Sequence, residues 1–187
     1  MKFKRHFDLE GKHAFLGASQ SSWLNYDLDH LRSRWINERA KIEGTELHVL
    51  AEQLIRKNIK LPRSQKTLNA YVNDAIGFHL EPEVLLYYSD NVFGTADAIR
   101  YDEKKQFLRI HDLKTGTGKV HMEQLMIYAA LFCLEYTIKP STIDMELRIY
   151  QNDDIQIYEP TSEEIIDIMD KIIEFDNFID KLKEEEA

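Results

Sequence analysis

Val92-Phe93-Gly94-Thr95-Ala96-Asp97-Ala98-Ile99-Arg100-Tyr101, the charged run Asp102-Glu103-Lys104-Lys105, and Gln106-Phe107-Leu108-Arg109-Ile110-His111-Asp112-Leu113-Lys114 make up the stretch that decides the fold. Two runs rich in β-branched and aromatic residues flank a polar turn, which reads as a β-hairpin. Side chains alternate faces along a strand, so Asp112 and Lys114 share one face and Leu113 points into the core behind them. Closing the hairpin about residues 102–105 brings Asp97 near Asp112.

Working outward, Glu83–Ser89 reads as a strand completing a meander with Val92–Tyr101 and Gln106–Leu113. Gly94 inside the second strand allows a bulge or a close backbone approach. The Thr115-Gly116-Thr117-Gly118-Lys119 turn lacks the spacing of a phosphate-binding P-loop and reads as the lead into a helix over His121–Tyr136, with Lys119 placed to touch a nucleic-acid backbone. Strands at Ile143–Tyr150 and Ile155–Glu159 follow, around Asn152-Asp153-Asp154. Before the meander, Trp23, Leu24, Leu28, Leu31, Trp35 and Ile36 recur at helical spacing, with Ser21 or Ser22 as N-cap. A second helix is expected over Glu43–Ile59 and a third, capped by Ser64 after Pro62, through Phe78. The two tryptophans read as helix-packing residues rather than base-stacking platforms, and residues 1–16 as a mixed stretch, irregular or adding an edge segment. The order predicts an α+β fold (an α/β sandwich), a mixed sheet flanked by helices. One domain is expected over 1–187: a helical part (1–80), a sheet core with the site (81–160) and a C-terminal acidic amphipathic helix (161–187).

Two carboxylates and an ammonium on neighbouring strands suit a divalent cation and a phosphate. Cutting a phosphodiester requires an activated water and charge relief on the phosphoryl oxygens, and a lysine beside the carboxylates is placed to orient or deprotonate water or to balance phosphate charge. An isolated Asp-x-Lys is more often a solvated ion pair; the surrounding pattern carries the reading.

Gly94-Thr95-Ala96-Asp97, then Ile110-His111-Asp112-Leu113-Lys114-Thr115-Gly116, then Gln124 and Tyr128, resemble the RecB-type branch of the PD-(D/E)xK nuclease superfamily. Upstream, Gly44-Thr45-Glu46-Leu47-His48 with Ala51-Glu52 resembles that branch's helical histidine motif, so the likeness runs in order from about residue 17 to 150. The resemblance implies a restriction-endonuclease-like core. It implies His48, Asp97, Asp112 and the Leu113 carbonyl as ligands of Mg²⁺ or Mn²⁺, Lys114 as catalytic lysine, and Gln124 and Tyr128 as catalytic-site residues on one helix face. Helical spacing agrees, since positions i and i+4 are neighbours. The same spacing puts Glu52 beside His48, as an extra or outer carboxylate or as the partner in a helix ion pair. His111 and His121 flank the segment, placed to approach phosphate; His6, His13, His30 and His79 carry no argument.

With 43% hydrophobic and 30% charged residues the composition is that of an ordinary globular chain. No apolar run approaches a membrane span, and Met1–His6 lacks a secretory apolar region. One cysteine, Cys133, fits a reducing, cytoplasmic setting, in a bacterial or phage-infected cell by the resemblance. It cannot supply the four thiolates of the iron–sulfur cluster found in related nucleases, so Cys133 is expected to pack as a small hydrophobe. The net charge of −9 is uneven. Glu159–Ala187 holds eleven acids and three bases, whereas residues 1–66 hold thirteen bases and eight acids, a balance that permits nucleic-acid binding.

Thr161-Ser162-Glu163-Glu164 after Pro160 is a capping-box start. Ile165, Ile168, Ile172, Phe175, Ile179 and Leu182 continue it as an apolar stripe, read as packing on its own domain, with a homo-oligomer contact as the alternative. The expected activity is a Mg²⁺- or Mn²⁺-dependent deoxyribonuclease acting on DNA ends in recombination, repair or phage DNA processing. A helicase, recombinase or single-strand-binding protein would be its partner. The alternatives are an endonuclease that nicks or cuts branched DNA and a non-cutting binding or assembly module.

Overall fold

The computed structural model describes Phe7 and residues 14–186. The expectation for residues 1–16 falls mostly outside these, as do His6 and His13. The chain divides into two compact units, Met1–Glu43 and Gly44–Ala187.

A 3-10 turn, Ser21–Asn25, precedes helix α1, which spans Leu28–Arg56, so that its residues from Gly44 on belong to the second unit. Neither Ser21 nor Ser22 caps it. Tyr26 is extended, and the Asp27 carboxylate accepts the His30 N–H at 2.7 Å, so the helix starts at Leu28 and not at Trp23, where the apolar spacing begins. The break expected before Glu43 is absent as well: Asn37–Ile42 are tolerated helix residues, and Arg39 pairs with Glu43 one turn on at 2.9 Å. Two expected helices are therefore one. The Trp23 indole donates to the Gly17 carbonyl at 3.0 Å, and Trp35 meets Phe15 edge-on at 5.1 Å.

The second unit holds helix α2 (Thr67–Gly77), strands β1 (Glu81–Ser89), β2 (Val92–Asp102) and β3 (Phe107–Leu113), helix α3 (Glu123–Glu135), strands β4 (Asp144–Gln151) and β5 (Asp154–Tyr158), and helix α4 (Ser162–Glu186). This is an α+β fold with a five-stranded mixed sheet in the order β1-β2-β3-β4-β5. Every neighbouring pair is antiparallel except β3–β4, which is parallel and reached through the α3 crossover. The β2–β3 hairpin forms about the expected polar turn, with Asp102 opposite Phe107.

Alternate residues feed two cores. Leu108, Ile110, Leu147 and Ile149 pack with Leu125, Ala129 and Cys133 of α3 and Ile165 of α4. Leu113 and Tyr150 pack on the other side with Ala51 and Ile55 of α1 and Tyr71, Val72, Ala75 and Ile76 of α2. Cys133 is buried, and burial pushes its thiol up to about 12.

Helix α2 is not capped by Ser64, whose hydroxyl instead accepts the Lys66 N–H. The Asp153 carboxylate, from the β4–β5 turn, accepts the Thr67 N–H at 2.8 Å, and the Thr67 hydroxyl accepts the Asp153 N–H at 2.7 Å. Helix α4 opens with the expected capping box: the Thr161 hydroxyl accepts the Glu164 N–H and the Glu164 carboxylate accepts the Thr161 N–H. Its first half buries Ile165 and Ile172, whereas Phe175, Phe178 and Leu182 are exposed. Further along, Asp176 accepts hydrogen bonds from Ser89 and Asn91, so α4 grips the β1–β2 turn. Among the described residues no helix is long and apolar enough to cross a membrane.

Candidate active site

The site lies in the second unit, where β2 and β3 part. Ala98 pairs with His111, and one step further the ladder gives way to a side chain: the Asp97 carboxylate accepts the Leu113 N–H at 2.9 Å. That bond draws Asp97 up to the Asp112-Leu113-Lys114 segment. Leu113 is buried among α1 and α2 residues, as alternation predicts. The Lys114 N–H donates to the Tyr150 carbonyl at 2.9 Å, anchoring the strand end on β4.

The Lys114 ammonium joins two groups. It donates to Asp112 Oδ1 at 3.1 Å and to Gln124 Oε1 at 2.7 Å, and the Gln124 amide donates in turn to the Tyr128 hydroxyl at 3.1 Å. Gln124 and Tyr128 thus share one face of α3. Gly94 makes room for them, since a Cβ there would lie 3.0 Å from the Tyr128 ring. Of the two roles open to Gly94, close approach is the observed one; the register irregularity falls in β1, between Tyr87 and Ser89.

His48 reaches the site from α1, with Nδ1 3.4 Å from Asp97 Oδ2. Gly44, one turn earlier, lets the helix approach, because a Cβ there would lie 2.6 Å from the Thr115 hydroxyl. Glu52 is engaged elsewhere: its carboxylate accepts from Arg56 at 2.8 Å. The carboxylate that joins His48 and Asp97 is Glu83, and one donor atom from each of the three lies within 4.8 Å of the others. Glu83 is invisible to motif spacing, but the hairpin register carries it. Pro82 faces Ala98 and Val84 faces Ala96, so Glu83 stands across from Asp97.

Electrostatics mark this as a place short of positive charge. Burial, then the nearby Asp112 charge, push the Asp97 carboxyl up to about 6 against the pull of the Leu113 N–H and His48. Burial also raises Asp112, against the attraction of Lys114, and raises Glu83. Asp112 Oδ2 lies 3.0 Å from the Lys114 nitrogen but, unlike Oδ1, makes no aligned hydrogen bond, and it is sealed from solvent. The imidazole and two carboxylates of His48, Glu83 and Asp97 are a donor set that hard divalent cations take, and Asp112, outside that group of three, adds a buried carboxylate oxygen with a spare lone pair. The residues present therefore fit Mg²⁺ or Mn²⁺.

Comparison with known proteins adds nothing to this geometry: no family model matches the chain, and no curated protein or solved structure resembles it significantly.

Two flanking histidines stand apart from the site. His111 alternates away from Asp112 into the α2-side core, fully buried, with Nδ1 3.2 Å from the Tyr150 hydroxyl. Burial and the Arg148 and Arg109 charges hold it well below the usual histidine range, and its full burial keeps it from approaching phosphate. The exposed His121 lies near Glu123.

Proposed function

We propose that the chain is a Mg²⁺- or Mn²⁺-dependent deoxyribonuclease that hydrolyses phosphodiester bonds. The observation that carries the reading is the bridging Lys114 ammonium. It is held between Asp112 and the Gln124–Tyr128 pair, beside a carboxylate oxygen that lacks a hydrogen-bond partner. The ordered likeness of the same residues to RecB-type nucleases supports it.

In this reading Asp97, Asp112, His48 and Glu83, with the Leu113 carbonyl, would hold the cation. When bound, it supplies positive charge where the phosphoryl oxygens accumulate negative charge. Lys114 faces the scissile phosphate, where its ammonium orients the attacking water or offsets phosphate charge. Gln124 accepts a hydrogen bond from the lysine ammonium and so fixes its direction; Tyr128, accepting from the Gln124 amide, fixes Gln124. Both are positioning residues with respect to Lys114. Action on DNA ends rests on the family resemblance alone.

The test is digestion of end-labelled linear DNA and covalently closed circular DNA with Mg²⁺, Mn²⁺ or EDTA, alongside Lys114→Ala. Metal-dependent shortening of linear DNA alone, lost in the variant, is the expected result. Loss of the circle would make the enzyme an endonuclease. Binding without cutting, in every metal, would leave a binding module.

A further inference from the structure

The Thr115–Lys119 loop has an arrangement that its role as a connection does not explain. The Gln151 side chain, at the end of β4, donates to the carbonyls of both Gly116 and Gly118, at 2.5 and 2.9 Å. In a trans peptide the N–H of the next residue points opposite to the carbonyl. With both carbonyls turned inward to the nearly buried Gln151, the N–H groups of Thr117 and Lys119 point outward to solvent. Neither has a hydrogen-bond partner among the described residues.

The glycines add a second, independent observation. Neither Gly116 nor Gly118 has φ in the left-handed region, and a Cβ on either would meet nothing within 4 Å. Conformation and internal packing both leave them unexplained. A glycine with ordinary backbone and open space above it leaves room for the close approach of something outside the chain. The loop leaves directly from Lys114 and ends in Lys119, and its first residue, Thr115, is held against Gly44 of α1. On the flank of Lys114 and Thr115 lies a cavity of about 320 Å³ that also takes in Lys66 and Asn152. Asp153 lines it too, but its carboxylate accepts from the Thr67 N–H and hydroxyl.

We propose that this loop is a phosphate cradle: the N–H groups of Thr117 and Lys119, with the Lys119 ammonium, bind a phosphate of the substrate strand next to the one facing Lys114. Backbone N–H groups and a lysine ammonium bind phosphate oxygens without reading bases, so the cradle sets the strand's position and not its sequence. The inference rests on the nuclease reading and names the part of the chain that grips the substrate's backbone.

The experiment is an amide-resolved NMR titration of the whole chain in EDTA, which prevents cutting, with three probes: a short single-stranded oligonucleotide, a mononucleotide and inorganic phosphate. Anisotropy binding of the same oligonucleotide to Gly116→Ala/Gly118→Ala accompanies it. Thr117 and Lys119 amide resonances are expected to shift with the oligonucleotide. The double variant is expected to keep the wild-type melting temperature, because its new methyl groups meet nothing, yet to bind roughly tenfold more weakly. A response to the oligonucleotide alone assigns the phosphate to the diester chain; an equal response to the mononucleotide assigns it to a terminal phosphate. Unmoved Thr117 and Lys119 resonances in an oligonucleotide-bound protein would overturn the cradle while leaving the nuclease reading intact. A chain that neither binds nor cuts DNA would remove both. Should the variant lose stability, the wild-type titration decides.

Discussion

Glu83 stands directly across the β1–β2 pair from Asp97, with its backbone in the left-handed region at φ 54°. The sheet changes sides at this point. Ala96 and Leu86 pack toward α3, whereas Ala98 and Leu80 pack toward α2. The two carboxylates occupy the crook of that change, where neither core claims them. A non-glycine residue held at positive φ costs free energy, and such strain gathers where a site requires it.

Glu83→Gly separates strain from function. The glycine accepts this φ freely but loses more chain entropy on folding, so metal-free stability is expected to stay level or rise by up to about 1 kcal/mol. Mn²⁺ binding, measured by calorimetry, should weaken. An unchanged Mn²⁺ affinity would remove Glu83 from the ligand set.

Lys114→Ala is expected to lower the cutting rate by at least about 100-fold while sparing most metal binding, because the lysine touches the Asp112 carboxylate without being a ligand. Asp112→Ala should lose both. Rate and Mn²⁺ titration on the two variants check the distinction; wild-type cutting by Lys114→Ala would withdraw the lysine's role.

Gly94→Ala tests the packing behind the lysine. The new methyl would press on the Tyr128 ring from 3.0 Å, displacing it and loosening Gln124 from Lys114. A fall of roughly tenfold in cutting rate, with Mn²⁺ affinity unchanged, is expected. A rate equal to wild type would show that Tyr128 does not set the lysine's position.

The pH dependence has a definite sign. Asp97 titrates near 6 in the folded chain, above its unfolded value of about 3.9, so the metal-free fold binds the proton more tightly than the unfolded chain. Its contribution to stability is present below about pH 4 and is lost as pH rises through 6; Asp112 and Glu83, also raised, act in the same direction. A bound cation reverses this by favouring the carboxylates. The rise in melting temperature on adding Mn²⁺ should therefore be small at pH 5 and grow through pH 7. A constant increment would contradict the carboxylate assignment.

Much of this was legible in the sequence. The turn at 102–105 fixed the hairpin, period-two alternation placed Asp112 and Lys114 together over buried Leu113, and i, i+4 spacing aligned Gln124 with Tyr128. Each of these depends only on residues near in sequence. What was missed depends on pairing or on side-chain competition. Glu83 required the β1–β2 register, and counting from the short turn at Asp90-Asn91 would set it opposite Ala98, because the irregularity between Tyr87 and Ser89 shifts the pairing by one residue. Glu52 satisfied the helix rule equally well but had Arg56 one turn away. His111 resembled a site residue until alternation turned it inward. Asp27 outcompeted Ser21 and Ser22 as a cap because only there does the chain leave its extended conformation for a lasting helix.

The single parallel pair, β3 beside β4, has a consequence for how the molecule assembles. Asp97 and Asp112 come together through a hairpin, a contact that closes a short loop. Lys114 hangs its backbone on Tyr150, thirty-six residues ahead, and that contact waits for the α3 crossover to close. Loop-closure entropy makes such distant parallel pairing slow. The topology thus implies that the acidic half of the site gathers early and its lysine is seated late, so a chain still folding has clustered carboxylates before the cation that completes them is in place.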